Sequence, residues 1–267
     1  RSSDLDKIPE GVAFYRGHCQ DPDVIDRLPK EQYTAIFHIA GQSSGEVSFD
    51  DPISDLETNT TSTLNLLQFA LSNGCQRFIL AGTMSVYGDK PDRPVREDEE
   101  LRPLSFYGVG KLASEHYLRI YEQYGIRSTS LRLFNVYGPG QNMKNLRQGM
   151  VSIFMAQMLE DRKIHVKGGL DRFRDFVYID DVTDAFLACL DHPESAGQAL
   201  NIGTGIRTTV DTLLKKLIAL YPKDVNYISE GSTPGDMLGI YADIDKARTL
   251  IAYDPKYSLE SGLKKML

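Results

Sequence analysis

The sequence is poor in the residues that build metal sites and disulfide frameworks. Its three cysteines, Cys19, Cys75 and Cys189, lie far apart, and its five histidines, His18, His38, His116, His165 and His192, are scattered. Neither a zinc spacing nor a disulfide scaffold results, so no metal is assigned and a reducing cytoplasm is the expected setting. There is also no run of Lys or Arg; 30 basic against 37 acidic residues give a net charge of −7. That balance argues against nucleic acid or an anionic membrane as the main partner. It leaves room for an anionic small ligand, which needs only one or two local cations. No apolar run is long enough to span a bilayer, and the start is not signal-like. Internal repeats and low-complexity linkers are missing too. What remains is ordinary globular composition, 41% hydrophobic and 25% charged over 267 residues, enough for one large domain or two modest ones.

Short apolar runs alternate with helical patterns over the first 140 residues. "VAFYRG" (12–17), "AIFHIA" (35–40), "RFILAG" (77–82) and "STSLRLF" (128–134) read as buried strands. Residues 54–74 and 108–125 read as helices, each stopped by Gly or Asn-Gly. This rhythm predicts βαβ units and a parallel sheet. Beyond "NVYGPGQ" the pattern loosens. A helix near 149–160, "KIHVKG", "RDFVYID" with a helix ending near Leu190, "ALNIG", a helix from Val210 to about Leu220, "VNYIS" and a short helix capped by Asp243 follow. The expected architecture is α/β, with a dinucleotide-type domain over 1–141 and a smaller lobe over 142–267, some of whose segments return to the first.

Within "FYGVGKLASEHY" (106–117), Tyr107 and Lys111 stand four apart on one helix face. A phenol is a poor base at neutral pH, but a neighbouring ammonium favours the phenolate. Such a pair can take a proton from a hydroxyl or return one to a carbonyl. Alternatively the two are a surface tyrosine and a solvated lysine. Thr83 ends the strand "RFILAGT", where groups of open parallel sheets gather around ligands. It reads as a hydroxyl bridging substrate and tyrosine, or as a strand-end cap; Ser85 is a second hydroxyl there.

Taken in order, "FHIAGQSS", "NTTSTLNLL", "GTMSVYG", "YGVGK", "LRLFNVYGPGQ", "RFRDFVYIDD", "LNIGTG" and "PGDMLGIYADIDKA" resemble the extended short-chain dehydrogenase/reductases, in their NAD-dependent sugar-nucleotide epimerase/dehydratase branch. The resemblance covers nearly the whole chain. It implies a Rossmann-like, doubly wound parallel sheet with a smaller substrate lobe, NAD as cofactor and a nucleotide-diphosphate sugar as substrate. It places Thr83, Tyr107 and Lys111 at the chemistry. It puts His18, Cys19, Ile39, Ala40, Gly41, Gln42, Asn59, Ala81, Tyr107, Lys111 and Phe134 against the cofactor. Thr83, Ser85, Asn135, Gln148 and Arg174 are put against the substrate. Arg174 suits a diphosphate through two parallel hydrogen bonds; its alternative is an ion pair with Asp175 or Asp180. Gln148 is otherwise a helix cap, and His18 a plain loop histidine. The implied reaction is epimerisation, usually at C4 of the hexose. Family dehydratases usually carry Asp-Glu after the strand-end hydroxyl, and decarboxylases a Glu at the position of Ser85. This chain has Met84 and Ser85, which leaves dehydratase, decarboxylase or reductase chemistry as the alternative. A non-catalytic nucleotide sensor is the reading from another class.

Departures from the family pattern also stand out. The G-x-x-G-x-x-G loop and the strands around it, which hold the pyrophosphate at a helix N-terminus, are not in the sequence. The expectation is that roughly 30–40 residues of a βαβ unit precede Arg1. His18 stands where the family usually has an adenine-contacting Asp. Thr233-Pro234-Gly235-Asp236 replaces the common Arg-x-Gly-Asp, and Lys167 lies where many relatives have an apolar residue beside the base. The family pairs two helices per subunit into a four-helix bundle, so a homodimer is expected, with Leu118 and Tyr121 either as face residues or as core residues of a monomer. Gly108 and Gly110, between Tyr107 and Lys111, are expected to leave that helix face clear for cofactor and sugar.

Overall fold

The computed structural model describes residues 8–232 and 237–267. In chain order the elements are α1 (Pro22–Asp26), β1 (Ile36–His38), α2 (Gly45–Ser48), α3 (Pro52–Leu56), α4 (Ser62–Ser72), β2 (Arg77–Thr83), α5 (Phe106–Tyr121), β3 (Arg127–Leu133) and β4 (Asn135–Tyr137). There follow α6 (Met150–Asp161), β5 (Lys163–Lys167), β6 (Phe173–Arg174), β7 (Phe176–Tyr178), α7 (Ile179–Asp191), β8 (Gln198–Ile202), β9 (Thr208–Thr209), α8 (Val210–Ala219), β10 (Asn226–Glu230), α9 (Asp245–Ile251) and α10 (Leu259–Met266). The main sheet runs β1-β2-β3-β8 with every pairing parallel. Among the described residues no helix is long and apolar enough to cross a membrane.

Strand β2 shows why the sheet is covered on both faces. Its side chains alternate, and both sets are apolar. Phe78 and Leu80 pack with Leu66, Leu67 and Ala70 of α4 and Leu118 of α5. Ile79 and Ala81 pack on the other side with Val182 and Phe186 of α7 and with Ala247 and Ile251 of α9. A separate core joins α6, β5, β7 and α8 through Phe154, Met155, Ile164, Phe176, Leu213 and Leu217. Around it lie the pairs β4-β7 and β5-β10, both parallel, and the antiparallel pair β6-β9. Leu118 is therefore a core residue, 3% exposed, with Tyr121 packed against the same cluster. Of the two readings, core or helix face, the packing supports the core.

Residues 12–17 depart from expectation: the run is not a strand, and Val12, Phe14 and Tyr15 are exposed. A strand persists only where its backbone groups find a neighbour. Among the described residues, β1 is paired only with β2, so 12–17 has no strand beside it. The helix expected over 54–74 begins earlier, at Pro52, and changes to a π-helical turn at Glu57–Thr61 before α4. Its stop at Asn73-Gly74 has Gly74 at φ +67°, where glycine carries no Cβ penalty. Asp243 accepts a hydrogen bond from the Asp245 N–H at 3.0 Å, but lies one residue before the cap position held by Ile244.

Two features fix α5 against the sheet. Ser105 caps its N-terminus, accepting from the Gly108 N–H at 3.1 Å. Deeper in, Glu115 accepts two bonds from the Arg132 guanidinium of β3, at 3.1 and 2.8 Å. Arg132 also donates to the Tyr87 hydroxyl and the Glu97 carbonyl, at 2.9 and 3.1 Å. This polar pin, with side chains 5% and 10% exposed, sets the helix that carries Tyr107 and Lys111.

Candidate active site

The C-terminal ends of β2 and β3 open onto a cleft of about 560 Å³. Thr83 enters it from the end of β2, Phe134 and Asn135 from the end of β3 and the start of β4, and Tyr107 and Lys111 from the first turns of α5. Both α5 groups are buried, at 7% and 3% exposure, so they are not a solvated surface pair. Thr83 and Tyr107 line the same part of the cleft. The Thr83 hydroxyl donates to Ser85 Oγ at 3.2 Å and accepts from the Ser85 N–H at 3.1 Å. It thus caps the turn after the strand.

Gly108 and Gly110 serve a different purpose from the one expected. A Cβ on Gly108 would lie 2.7 Å from the Ser85 carbonyl oxygen and 2.9 Å from Pro103 Cβ. One on Gly110 would lie 3.2 Å from Thr60 Oγ1. Neither glycine is among the residues lining the cleft. They let α5 approach the 83–86 turn and the π-helical turn closely, and Thr60 Oγ1 donates to the Gly110 carbonyl at 3.1 Å.

Burial dominates the electrostatics of the pair. Loss of water pushes the Tyr107 phenol up to about 12, against the neighbouring Thr83 hydroxyl that lowers it; nearby Asp55 adds to the rise. The expected lowering by Lys111 is not among the influences on the phenol; burial dominates, because the phenolate would be the desolvated charge. Burial likewise pulls Lys111 down to about 8, while Asp55 pulls it up. Tyr107 stands protonated at neutral pH, and Lys111 is close to its titration range.

A second cavity, of about 280 Å³, adjoins the first. His18, Cys19, Ala40, Gly41 and Gln42 line it, and Gly41 and Gln42 border both. Ile39 and Ala81 line the larger cleft with Phe134. Asn59 is fully buried behind Gly41: a Cβ there would come within 2.5 Å of Asn59 Oδ1 and 3.4 Å of Lys111 Nζ. Asn59 Oδ1 has no hydrogen-bond partner. A bare backbone at Gly41, which borders both cavities, with an unpaired buried acceptor behind it and Lys111 beside it, fits an elongated dinucleotide. NAD has that shape.

The substrate-side residues divide. Ser85, Asn135 and Gln148 line the cleft. Asn135 Oδ1 is buried without a partner, an acceptor awaiting a donor. Gln148 donates to Ser43 Oγ and accepts from Asn145 Nδ2 at 3.3 Å. Arg174 is buried but does not line the cleft; its guanidinium donates to the carbonyls of Phe173 (2.7 Å), Met237 (3.1 Å) and Leu238 (3.4 Å). Asp175 faces Thr204, Gly205 and Ala242. Lys167 pairs with Glu46 at 3.1 Å. Thr233-Pro234-Gly235-Asp236 lies outside the described residues.

Two polar residues escaped the sequence reading. Gln141 lines the cleft with a buried, unpartnered Oε1. Asp55 lies beneath Lys111, 2% exposed. Its place four residues before Asn59, on one helix face, was the available signal.

Comparison with known proteins agrees with this geometry. Over 260 residues the chain is 30% identical to a putative UDP-glucose 4-epimerase of Methanocaldococcus jannaschii, covering 95% of this chain and 82% of that protein. The structure superposes with a TM-score of 0.89 on a UDP-glucose 4-epimerase of Thermotoga maritima solved with UDP-glucose, 33% identical, over 98% of this chain and 85% of that one. The UDP-glucose 4-epimerase of Thermus thermophilus, solved in complex with NAD, gives 0.87 at 29% identity, over 98% and 86%. Residues 1–203 match the sequence profile of the NAD dependent epimerase/dehydratase family, and the chain belongs to that family.

Proposed function

We propose that the protein is an NAD-dependent 4-epimerase of a nucleotide-diphosphate hexose of the UDP-glucose class. The observation that carries this is the convergence of Thr83, Tyr107, Lys111 and Asn135 on one cleft. The described residues lining that cleft include no Asp or Glu, and Lys111 is the only charged group among them. Removing a hydroxyl as water calls for an acid beside it, which favours epimerisation over dehydration.

Gly41, Asn59, Lys111 and Phe134 would hold the nicotinamide half of NAD, and His18, Cys19 and Gln42 the region beyond. When bound, NAD supplies a reversible hydride store and a cationic ring whose charge favours the Tyr107 phenolate. Tyr107 takes the proton of the sugar C4 hydroxyl and returns it once the configuration has inverted. Thr83, fixed by Ser85, orients that hydroxyl toward the phenol. Asn135 offers its unpaired Oδ1 to a sugar hydroxyl, and Ser85 and Gln148 are further polar contacts. Arg174 serves the diphosphate only if its bonds to the 237–238 carbonyls rearrange. In this reading residues 1–141 carry the cofactor and 142–267 mainly the sugar nucleotide. The enzyme works in the cytoplasm on precursors of cell-surface polysaccharide.

The test is conversion of UDP-glucose to its C4 epimer in the presence of NAD. Tyr107→Phe should lower turnover by about 10²–10⁴-fold while calorimetric binding of UDP-glucose persists. Undiminished turnover in that variant would sink the assignment. A product lighter by water or carbon dioxide would replace it with dehydratase or decarboxylase chemistry.

The same reading includes a homodimer. Its face is drawn from the exposed Ile53 and Leu56 of α3 and Phe106 and Val109 of α5, not from Leu118. Light scattering that gives a monomer at micromolar concentration would overturn it.

A further inference from the structure

Beneath the cleft lies a carboxylate that the reaction does not require. Asp55, on α3, is 2% exposed. Its Oδ1 accepts from Gln42 Nε2 at 2.7 Å and from Asn59 Nδ2 at 3.2 Å. Gln42 is locked in this orientation, because its Oε1 accepts from the Ser44 N–H and its Nε2 also reaches the Ser44 carbonyl. The other carboxylate oxygen, Oδ2, is buried with no hydrogen-bond partner. It faces α5 at Gly110, where a Cβ would stand 3.7 Å from it. The next residue is Lys111, 3% exposed, whose ammonium forms no hydrogen bond or ion pair among the described residues. A buried ammonium in this condition tends to lose its proton.

We propose that Asp55 is a positioning residue for Lys111, the buried counter-charge that keeps its ammonium charged beside Tyr107. This rests on the epimerase reading only for its purpose; the charge relation stands on the packing. Lys111 Nζ and Asn59 Oδ1 meet at Gly41, where a Cβ would stand 3.4 and 2.5 Å from them, and Asn59 holds Asp55 beside it; the other titratable neighbours are His38 from β1 and Tyr107, one turn earlier on the same helix. His38 cannot supply the charge. Its Nε2 lies 3.1 Å from Thr63 Oγ1 and 3.2 Å from Ser62 Oγ, and burial, with Lys111 adding to it, pulls its imidazole down to about 3. Tyr107 is neutral. Asp55 is the remaining anion, and burial, which pushes its carboxyl up, is opposed by Gln42, Lys111 and Asn59. Removing it leaves Lys111 desolvated and alone.

The experiment reads Lys111 directly and needs no turnover. The purified protein is labelled with trace acetic anhydride across pH 6–11, and acetylation of the Lys111 peptide is quantified by mass spectrometry, since only the unprotonated amine reacts. Asp55→Asn keeps the shape and can still accept from Gln42, so it removes the charge alone. Its Lys111 labelling midpoint should fall by roughly one pH unit. An unchanged midpoint in folded D55N overturns the proposal. Should D55N fail to fold, Gln42→Ala decides, since it removes a donor that holds Asp55 ionised: a smaller fall supports the proposal and no change overturns it. A shifted midpoint in a protein that epimerises nothing would retain the charge relation and remove the assigned reaction instead.

Discussion

The floor and the roof of the cleft are held by opposite means. The floor consists of β2, β3 and the start of α5. Its contacts are buried: the Glu115–Arg132 pin, the closeness permitted by Gly108, and Thr83 hydrogen-bonded to Ser85 beside Tyr107. The roof joins the loop before α6 and the end of β5 to α2 and the residues just after it. There Arg147 pairs with Glu46 (3.4 Å) and Asp50 (2.5 Å), Lys167 pairs with Glu46 (3.1 Å), and Ser44 Oγ donates to the Arg147 carbonyl at 2.9 Å. Arg147 and Lys167 are 42% and 56% exposed. Buried polar contacts give fixed geometry at high penalty for any loss; exposed ion pairs are weak, screened and quickly exchanged. Proton transfer needs the first kind of support. Admission and release of a ligand are served by the second.

The contrast breaks most visibly at the pin. Arg132→Met leaves Glu115 as an unpaired carboxylate in the interior and should cost about 3–5 kcal/mol of unfolding free energy. Measured by denaturant titration, the double variant R132M/E115L should recover most of that loss, because two apolar groups can replace a buried pair. A single variant as stable as the parent would show that the floor is not held there.

A finer probe separates the two glycines. Gly108→Ala drives a methyl against the backbone carbonyl of Ser85 and the ring of Pro103, an overpacking worth about 1–3 kcal/mol. It also moves Tyr107, its immediate neighbour, so kcat should fall with stability. Gly110→Ala meets Thr60 Oγ1 at 3.2 Å, a contact a side chain can relieve. Alanine also gains about 1 kcal/mol over glycine inside a helix. That variant should be near neutral by thermal melting. Equal effects at both positions would contradict the packing role assigned to them.

How far the sequence foretold this arrangement depends on range. Strand β2 was legible because it is apolar on both faces, and α5 because its helical pattern ends at a glycine. Thr83, Tyr107 and Lys111 could be placed together from strand end and helix spacing, aided by the family resemblance. Residues 12–17 looked like a strand for the same local reason as β2, but pairing is a property of the neighbours. Burial of Arg132 inside "STSLRLF" was invisible until Glu115 arrived from α5. The rise of the Tyr107 phenol had the same origin: spacing revealed a nearby ammonium, while desolvation comes from everything packed around it. Asp55 and the π-helical turn were hidden inside a run read as plain helix.

The smallest effect is expected at the roof. Glu46→Gln removes the anion shared by Arg147 and Lys167, yet Arg147 keeps Asp50. Exposed pairs of this kind contribute less than about 1 kcal/mol, so the melting temperature should scarcely move. The effect should appear in KM for the sugar nucleotide, raised by roughly 2–5-fold with kcat unchanged, as expected when binding support is lost equally in ground and transition states. Salt supplies the control. Raising ionic strength should increase KM of the parent by screening these pairs and leave E46Q nearly flat. If kcat instead falls in E46Q as it does in G108A, the roof takes part in holding the reacting groups, and the division between a rigid floor and a yielding roof fails.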